Sequence, residues 1–310
     1  MLSFVIPAFN EGPNIGRCVR SVQKFVPTNE PYEIIVVDNG SSDDTVQQAR
    51  GAGAVVLESA ARTIGAVRNE GVRASGGEII VFLDGDCALT ADWERGIAPV
   101  LAKVRQLPIS AAGSHPIPPP NEDVFLWRHW FVPLFQQPKT SHIGTAHLMC
   151  RRDAFDRING FDERLDTSED FDLCMRLKAA GGPLLVEPQL TIAHYGFPRT
   201  LLAFFRRERW HGAGGISSLR AFVSSKVAIL SALFGAASIV ALAGVLSGSV
   251  TVALTGAVVA LGVPVVSVAA KLGTAPLPTQ LSAVLIFCVY YSARSLALLD
   301  VLARRRPRRR

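Results

Sequence analysis

Glu78-Ile79-Ile80-Val81-Phe82-Leu83-Asp84-Gly85-Asp86 is an apolar run closed by two carboxylates around a glycine. Five consecutive apolar residues with no polar alternation read as a strand covered on both faces. The same pattern occurs upstream. Leu2–Ala8 is apolar and stops at the turn-forming Phe9-Asn10-Glu11-Gly12-Pro13-Asn14, and Glu33-Ile34-Ile35-Val36-Val37 ends on Asp38 before Asn39-Gly40-Ser41-Ser42-Asp43-Asp44. A shorter run, Ala54 to Leu57, makes a further strand. Helical spacing of Ile15, Cys18, Val19, Val22, Phe25 and Val26, a helix from about Thr45, and another over Gly65 to Ala74 fall between them. Strand and helix alternating in this way predict a mostly parallel, Rossmann-like α/β sheet with flanking helices. Such sheets bind ligands outside the carboxyl ends of their strands, and Pro7-Ala8, Asp38 and Asp84 all stand at those ends.

Downstream, a helix over Trp93 to Gln106 is followed by the proline- and aromatic-rich stretch Ser114 to Thr140, which reads as a long functional loop. Strand-like His142 to Cys150, a helix from about Arg152, a helix over Glu169 to Ala180, and short strands at Leu184–Val186 and Thr191–His194 complete the α/β part. The remainder changes character. Between Val227 and Ala303 the only charged residues are Lys271, Arg294 and Asp300. Stretches 227 to about 246 and 250 to 270 each match the ~20 residues that cross a bilayer. The third stretch, 281 to 302, carries Arg294 and Asp300 and is expected to lie in the interface, giving two spans. The expected organisation is therefore a catalytic-type domain over 1–215 and a membrane-associated helical region over 216–310.

The net charge of +6 belongs to the tail: six arginines within Arg304–Arg310 account for it, leaving 26 basic against 26 acidic residues. This excludes a nucleic-acid-binding face and suits anionic headgroups, or alternatively a solubilising tail. Five scattered cysteines without a C-x-x-C pair argue against a disulfide framework or structural zinc site and fit a reducing compartment. No secretory signal is expected from the opening residues.

Asp84 and Asp86, two carboxylates flanking a glycine, can converge on a hard cation such as Mg2+ or Mn2+. An Asp-Gly turn is the plain alternative, and capping is the plain alternative for Asp38. Taken together with Ile6-Pro7-Ala8-Phe9-Asn10-Glu11, Val36-Val37-Asp38-Asn39-Gly40-Ser41-Ser42-Asp43-Asp44-Thr45 and Val67-Arg68-Asn69-Glu70-Gly71, the triplet resembles the N-terminal half of a family 2 glycosyltransferase of the GT-A fold. Gly144 to Arg152 resembles that family's acceptor-side strand, Gly160-Phe161-Asp162-Glu163 its following loop, and Ser168-Glu169-Asp170 its acidic catalytic motif. The likeness runs over roughly residues 1 to 215.

The resemblance implies roles residue by residue. Pro7, Asn10 and Glu11 flank the nucleoside, Asp38 accepts a hydrogen bond from the base, and Arg68 lies near the diphosphate. Asp84 faces ribose and metal, Asp86 binds the metal, and His194 is either a further metal or phosphate contact or a buried capping histidine. Asp170 is the expected base of an inverting, single in-line displacement, with Glu169 supporting it. Arg206-Arg207-Glu208-Arg209-Trp210 is similar to the Gln-x-x-Arg-Trp motif of polysaccharide-building members, with arginine where glutamine is expected. Arg209 is placed at the leaving diphosphate and Trp210 on the sugar, unless the segment is an interfacial amphipathic helix.

The implied activity is transfer of a sugar from a nucleotide-sugar donor to a lipid-linked or glycan acceptor, with Mn2+ or Mg2+, at the cell (inner) membrane with the catalytic part cytoplasmic. A processive polysaccharide synthase and a catalytically silent nucleotide-sugar-binding membrane protein are the alternatives. Specificity is expected in the Ser114 to Thr140 loop and in pocket shapes.

Overall fold

In a computed structural model, residues 1–107, 111–119, 122–135, 142–214, 222–223 and 225–303 are described. Parts of the Ser114 to Thr140 stretch and the arginine tail lie outside them. The described chain forms two compact units: Met1–Glu122 with Pro138–Gly196, and Asp123–Gln137 with Phe197–Arg310.

The first unit is built on a seven-stranded sheet of order β3-β2-β1-β4-β7-β6-β8. Strands β1 (Leu2–Ala8), β2 (Tyr32–Asp38), β3 (Val55–Glu58) and β4 (Ile79–Leu83) are mutually parallel, as the sequence predicts. Helices α1 (Gly12–Phe25), α2 (Thr45–Gly51) and α3 (Ile64–Ala74) make the crossovers. Leu2, Phe4 and Ile6 of β1 join one core cluster while Val5 joins another with Ile80 and Phe82, so the sheet is buried on both faces. This is why these strands read as continuous apolar runs.

Beyond β4 the pairing turns mixed. β7 (His147–Arg151) runs antiparallel to β4 and to β6 (Ala111–Gly113), and β8 (Leu184–Val186) extends the edge parallel to β6. A separate two-stranded ladder pairs β5 (Cys87–Leu89) with β9 (Ile192–His194), antiparallel. Helices α4 (Ala91–Gln106), α6 (Arg152–Arg157) and α7 (Glu169–Ala179) flank these strands. Under β7 lies a buried network. Trp93 Nε1 donates to His147 Nε2 at 2.9 Å, so the ring proton sits on Nδ1, 2.8 Å from Ser114 Oγ, and that hydroxyl donates to the Leu190 carbonyl. Burial pushes His147 down to about 3, keeping the imidazole neutral.

The second unit is helical. Part of the expected loop is folded into it: Trp127–Phe131 forms a π-helical turn running into α5 (Val132–Phe135). Trp127, Trp130 and Phe131 bury with Phe204, Phe287 and Tyr290, with Trp130 and Phe287 ring centroids 4.5 Å apart. Those aromatics are therefore core rather than loop surface. Helix α8 (Leu201–Gly214) belongs to the same unit, packed on Leu277–Leu302, so the unit boundary falls upstream of residue 215.

Three helices, Lys226–Leu246, Val250–Leu272 and Leu277–Val301, are long and apolar enough to cross a membrane. The third of these, expected in the interface, thus also has spanning length, and the charges held against it are paired. Arg294 reaches Glu208 at 2.7 Å, and Asp300 takes both Arg209 Nε and Nη2 at 2.6 and 2.7 Å. The first two helices approach closely through glycines. A Cβ on Gly244 would stand 2.2 Å from Ala253 N, and one on Gly256 2.3 Å from Ala241 N.

Candidate functional site

The first unit brings most of the predicted residues to the carboxyl ends of β1, β2 and β4 and to the start of α7. Pro7 is buried within β1, paired in register with Val37. Asn10 takes a left-handed φ of 54° and ties the β1 loop to the β2 loop: its N–H donates to Ser41 Oγ at 2.8 Å and its Oδ1 accepts from Ser42 N at 2.9 Å. Glu11 extends that seam, its N–H donating to Thr45 Oγ1 at 2.7 Å. These residues shape the rim of the site through the backbone they hold.

Asp38 closes β2 and is 3% exposed. Its Oδ2 accepts from Gly40 N and Ser41 N at 3.1 and 3.0 Å, while its buried Oδ1 has no protein hydrogen-bond partner among the described residues. A buried acceptor without a donor is costly and marks a place where a ligand N–H gains a strong bond.

Arg68 is not at the surface of the crevice but inside it, 1% exposed. Its Nη2 donates to Asp84 Oδ1 at 2.9 Å and its Nη1 to Glu169 Oε1 at 2.8 Å. Burial opposes the guanidinium charge, yet Asp84 and Glu169 outweigh it and hold its pKa above the ordinary value. The sequence reading placed Arg68 near the diphosphate. In the structure it bridges Asp84 and Glu169, because two flanking carboxylates take its two terminal nitrogens. Asp170 follows at the start of α7, half-buried, with Oδ1 accepting from Phe171 N at 2.7 Å. Ser168 before it has a left-handed φ of 66°.

Asp86 stands on the other side of the triplet. Its Oδ1 is 3.6 Å from His194 Nε2, and its carbonyl accepts from Tyr195 N at 2.8 Å. Donor atoms of Asp86, Cys87 and His194 lie within 4.8 Å of one another. A carboxylate oxygen and an imidazole nitrogen so close fit a divalent cation. Asp84, turned to Arg68, is outside that group and offers its second oxygen. The β5–β9 ladder creates this meeting: Cys87 and His194 are register partners. Sequence reasoning missed two residues here. Cys87 follows the triplet directly. Gly196 leaves room for the Asp86 carboxylate, since a Cβ there would lie 1.8 Å from Asp86 Oδ2. Their signal was proximity to Asp86 and His194, meaningful only once β5 and β9 are paired.

Arg209 and Trp210 lie on α8 in the second unit. Arg209 is engaged at Nε and Nη2 by Asp300, and Trp210 packs against His211 at 4.8 Å between ring centroids. Within the unit Arg209 and Asp300 form a bidentate pair, because a carboxylate fits the guanidinium fork.

Comparison with known proteins follows this geometry. The sequence model of Glycosyl transferase family 2 matches residues 3–158, about half of the chain. Glycosyltransferase AglE of Haloferax volcanii is 29% identical over 204 residues, 62% of this chain and 64% of that relative. Pre-mycofactocin glycosyltransferase of Mycobacterium tuberculosis is 29% identical over 207 residues, 62% of this chain and 42% of the relative. The chain thus spans less than two thirds of the length of these relatives. Among solved structures, mannosyltransferase PcManGT from Pyrobaculum calidifontis, determined with GDP-Man and Mn2+, superposes with a TM-score of 0.60 over 97% of this chain and 86% of that one, at 16% identity. That likeness is one of fold.

Proposed function

The chain belongs to glycosyl transferase family 2, and on that premise we propose that it transfers a sugar from a nucleoside-diphosphate donor to an acceptor at a membrane surface, by a single inverting displacement. The Arg68 bridge carries this reading. One buried guanidinium holds Asp84 on the donor side and Glu169 beside Asp170 on the other, so donor-binding and base-bearing elements are set against each other by a single rigid link.

Asp38 Oδ1 accepts from the base of the nucleotide, and the Asn10–Ser41–Ser42 seam keeps the rim in place for it. A divalent cation, Mn2+ or Mg2+, would be held by Asp86 and His194 beside Asp84, and would supply Lewis-acid stabilisation of the departing diphosphate. Asp170 removes the acceptor hydroxyl proton on the opposite face. Glu169 pairs with Arg68 and positions the first turn of α7. The donor is soluble, so three helices of spanning length serve the other substrate: a lipid-linked or glycan acceptor presented at the cell (inner) membrane, with the first unit in the cytoplasm.

The test is nucleotide release by the purified full chain from a panel of nucleotide sugars, with Mn2+ or Mg2+ and with or without lipid-linked acceptors. Asp170→Asn is expected to lower turnover by about 10²–10⁴-fold while nucleotide binding stays. Wild-type turnover by that variant, or equal transfer to soluble acceptors without lipid, overturns the reading.

A further inference from the structure

We infer that the Cys87 thiol is a third protein ligand of the cation held by Asp86 and His194, so that this site favours thiophilic divalent ions such as Co2+, Zn2+ and Cd2+ over Mg2+. The inference rests on the metal-assisted reading given above.

The distances support it. A tetrahedral ion about 2.3 Å from sulfur and about 2.1 Å from nitrogen and oxygen sets its donors roughly 3.4–3.6 Å apart. Asp86 Oδ1 lies 3.6 Å from His194 Nε2 and 3.7 Å from Cys87 Sγ. All three donors are within 4.8 Å of one another. The oxygen common to both short distances is the natural apex of such a set.

The backbone supports it independently. Cys87 and His194 are register partners in an antiparallel ladder, so their side chains leave the same face of β5 and β9. Cys87 is 1% exposed, while the His194 and Asp86 side chains are 12% and 19% exposed. The three donors therefore form a corner closed on the sulfur side and open on the carboxylate side, where a diphosphate oxygen or water completes the coordination. One soft ligand beside one carboxylate and one imidazole shifts preference from Mg2+, which demands hard oxygen donors, toward ions that accept sulfur. On coordination the thiol proton passes to solvent.

The experiment uses the full chain in detergent with a non-chelating reductant, titrated with Co2+. A near-ultraviolet sulfur-to-cobalt charge-transfer band saturating at one equivalent is expected. It disappears in Cys87→Ser and persists in Cys18→Ser, whose thiol lies 3.6 Å from the Asp84 carbonyl instead. The affinity ratio of Cd2+ to Mg2+ is expected to fall about tenfold or more in Cys87→Ser. Wild-type protein that binds Co2+ in competition with Mn2+ but shows no charge-transfer band overturns the inference, and needs no variant to do so. Retention of the band in Cys87→Ser also overturns it. Absence of any Co2+ or Mn2+ binding, or binding unaffected by Asp86→Ala, overturns the metal-assisted reading as a whole and the inference with it.

Discussion

Adding one methyl group at Gly196 should displace the Asp86 carboxylate from the proposed metal position while leaving the fold intact. A Cβ at this position lies 1.8 Å from Asp86 Oδ2, 2.8 Å from its Cγ and 3.0 Å from His194 Cε1. Contacts under 3.0 Å are essentially never made by a real Cβ, so Oδ2 must retreat from 1.8 to at least 3.0 Å. Metal sites tolerate only about 0.2 Å of error in ligand distance. The required movement is several times larger, so Gly196→Ala removes or badly misplaces one ligand. A fall of about 10²-fold in Mn2+ affinity follows, or ~2.8 kcal/mol. Backbone strain does not contribute, because Gly196 is not among the residues with positive φ. The displaced carboxylate is partly solvent-exposed and can swing outward, so thermal unfolding should change by no more than about 0.5 kcal/mol. Calorimetric titration of the full chain with Mn2+, beside thermal melts of the same preparations, checks both halves. A variant that binds Mn2+ within threefold of wild type would refute the placement of Asp86 at the metal; equal losses of binding and of stability would refute the claim that the methyl acts locally.

Three further outcomes follow from buried charge and burial. Arg68→Met leaves Glu169, 11% exposed, and Asp84, 30% exposed, without their shared counter-ion; allowing for rehydration of Asp84, a loss of about 3 kcal/mol is expected in denaturant titration, partly recovered by Arg68→Lys. Burial holds His147 at about 3 against an ordinary 6.5, so the unfolded chain takes up its proton first as pH falls. That stability is complete above about pH 6.5 and is lost progressively toward pH 3, and His147→Gln should flatten this limb of a melting-temperature profile; an unchanged slope excludes the histidine. Asp300→Ala leaves Arg209 unpaired on α8 and is expected to cost on the order of 2 kcal/mol in melts of the detergent-solubilised chain, whereas Arg209→Met with Asp300→Leu should lie closer to wild type.

The strand ends were legible because burial on both faces forces uninterrupted apolar runs, and the polar residue that ends each run is conspicuous. Asp38, Asp84 and Asp86 stood out for that reason, and Asp170 through the motif around it. The partners of Arg68 and Arg209 were not legible, since an arginine's partner is chosen by contacts across 16 and 101 residues in one case and 91 in the other. The Ser114 to Thr140 stretch misled in the opposite sense. Prolines suggested a loop, but Trp127, Trp130 and Phe131 find an aromatic core supplied by α8 and Leu277–Leu302. Charges at Arg294 and Asp300 counted against a third span in the sequence, and their pairing with Glu208 and Arg209 is visible only in the tertiary structure.

By itself the sequence determined the parallel half of the sheet, the carboxylates at its strand ends and the presence of long apolar helices, because periodicity, run length and turn chemistry are local properties of the chain. Tertiary structure alone decided which donors meet. The β5–β9 register placed His194 across from Cys87 and beside Asp86, the packing of α3 and α7 put Arg68 between Asp84 and Glu169, and the room for the Asp86 carboxylate depends on a glycine 110 residues away in the chain. Such meetings are fixed by which surfaces can be buried together, and no stretch of sequence read alone contains both surfaces.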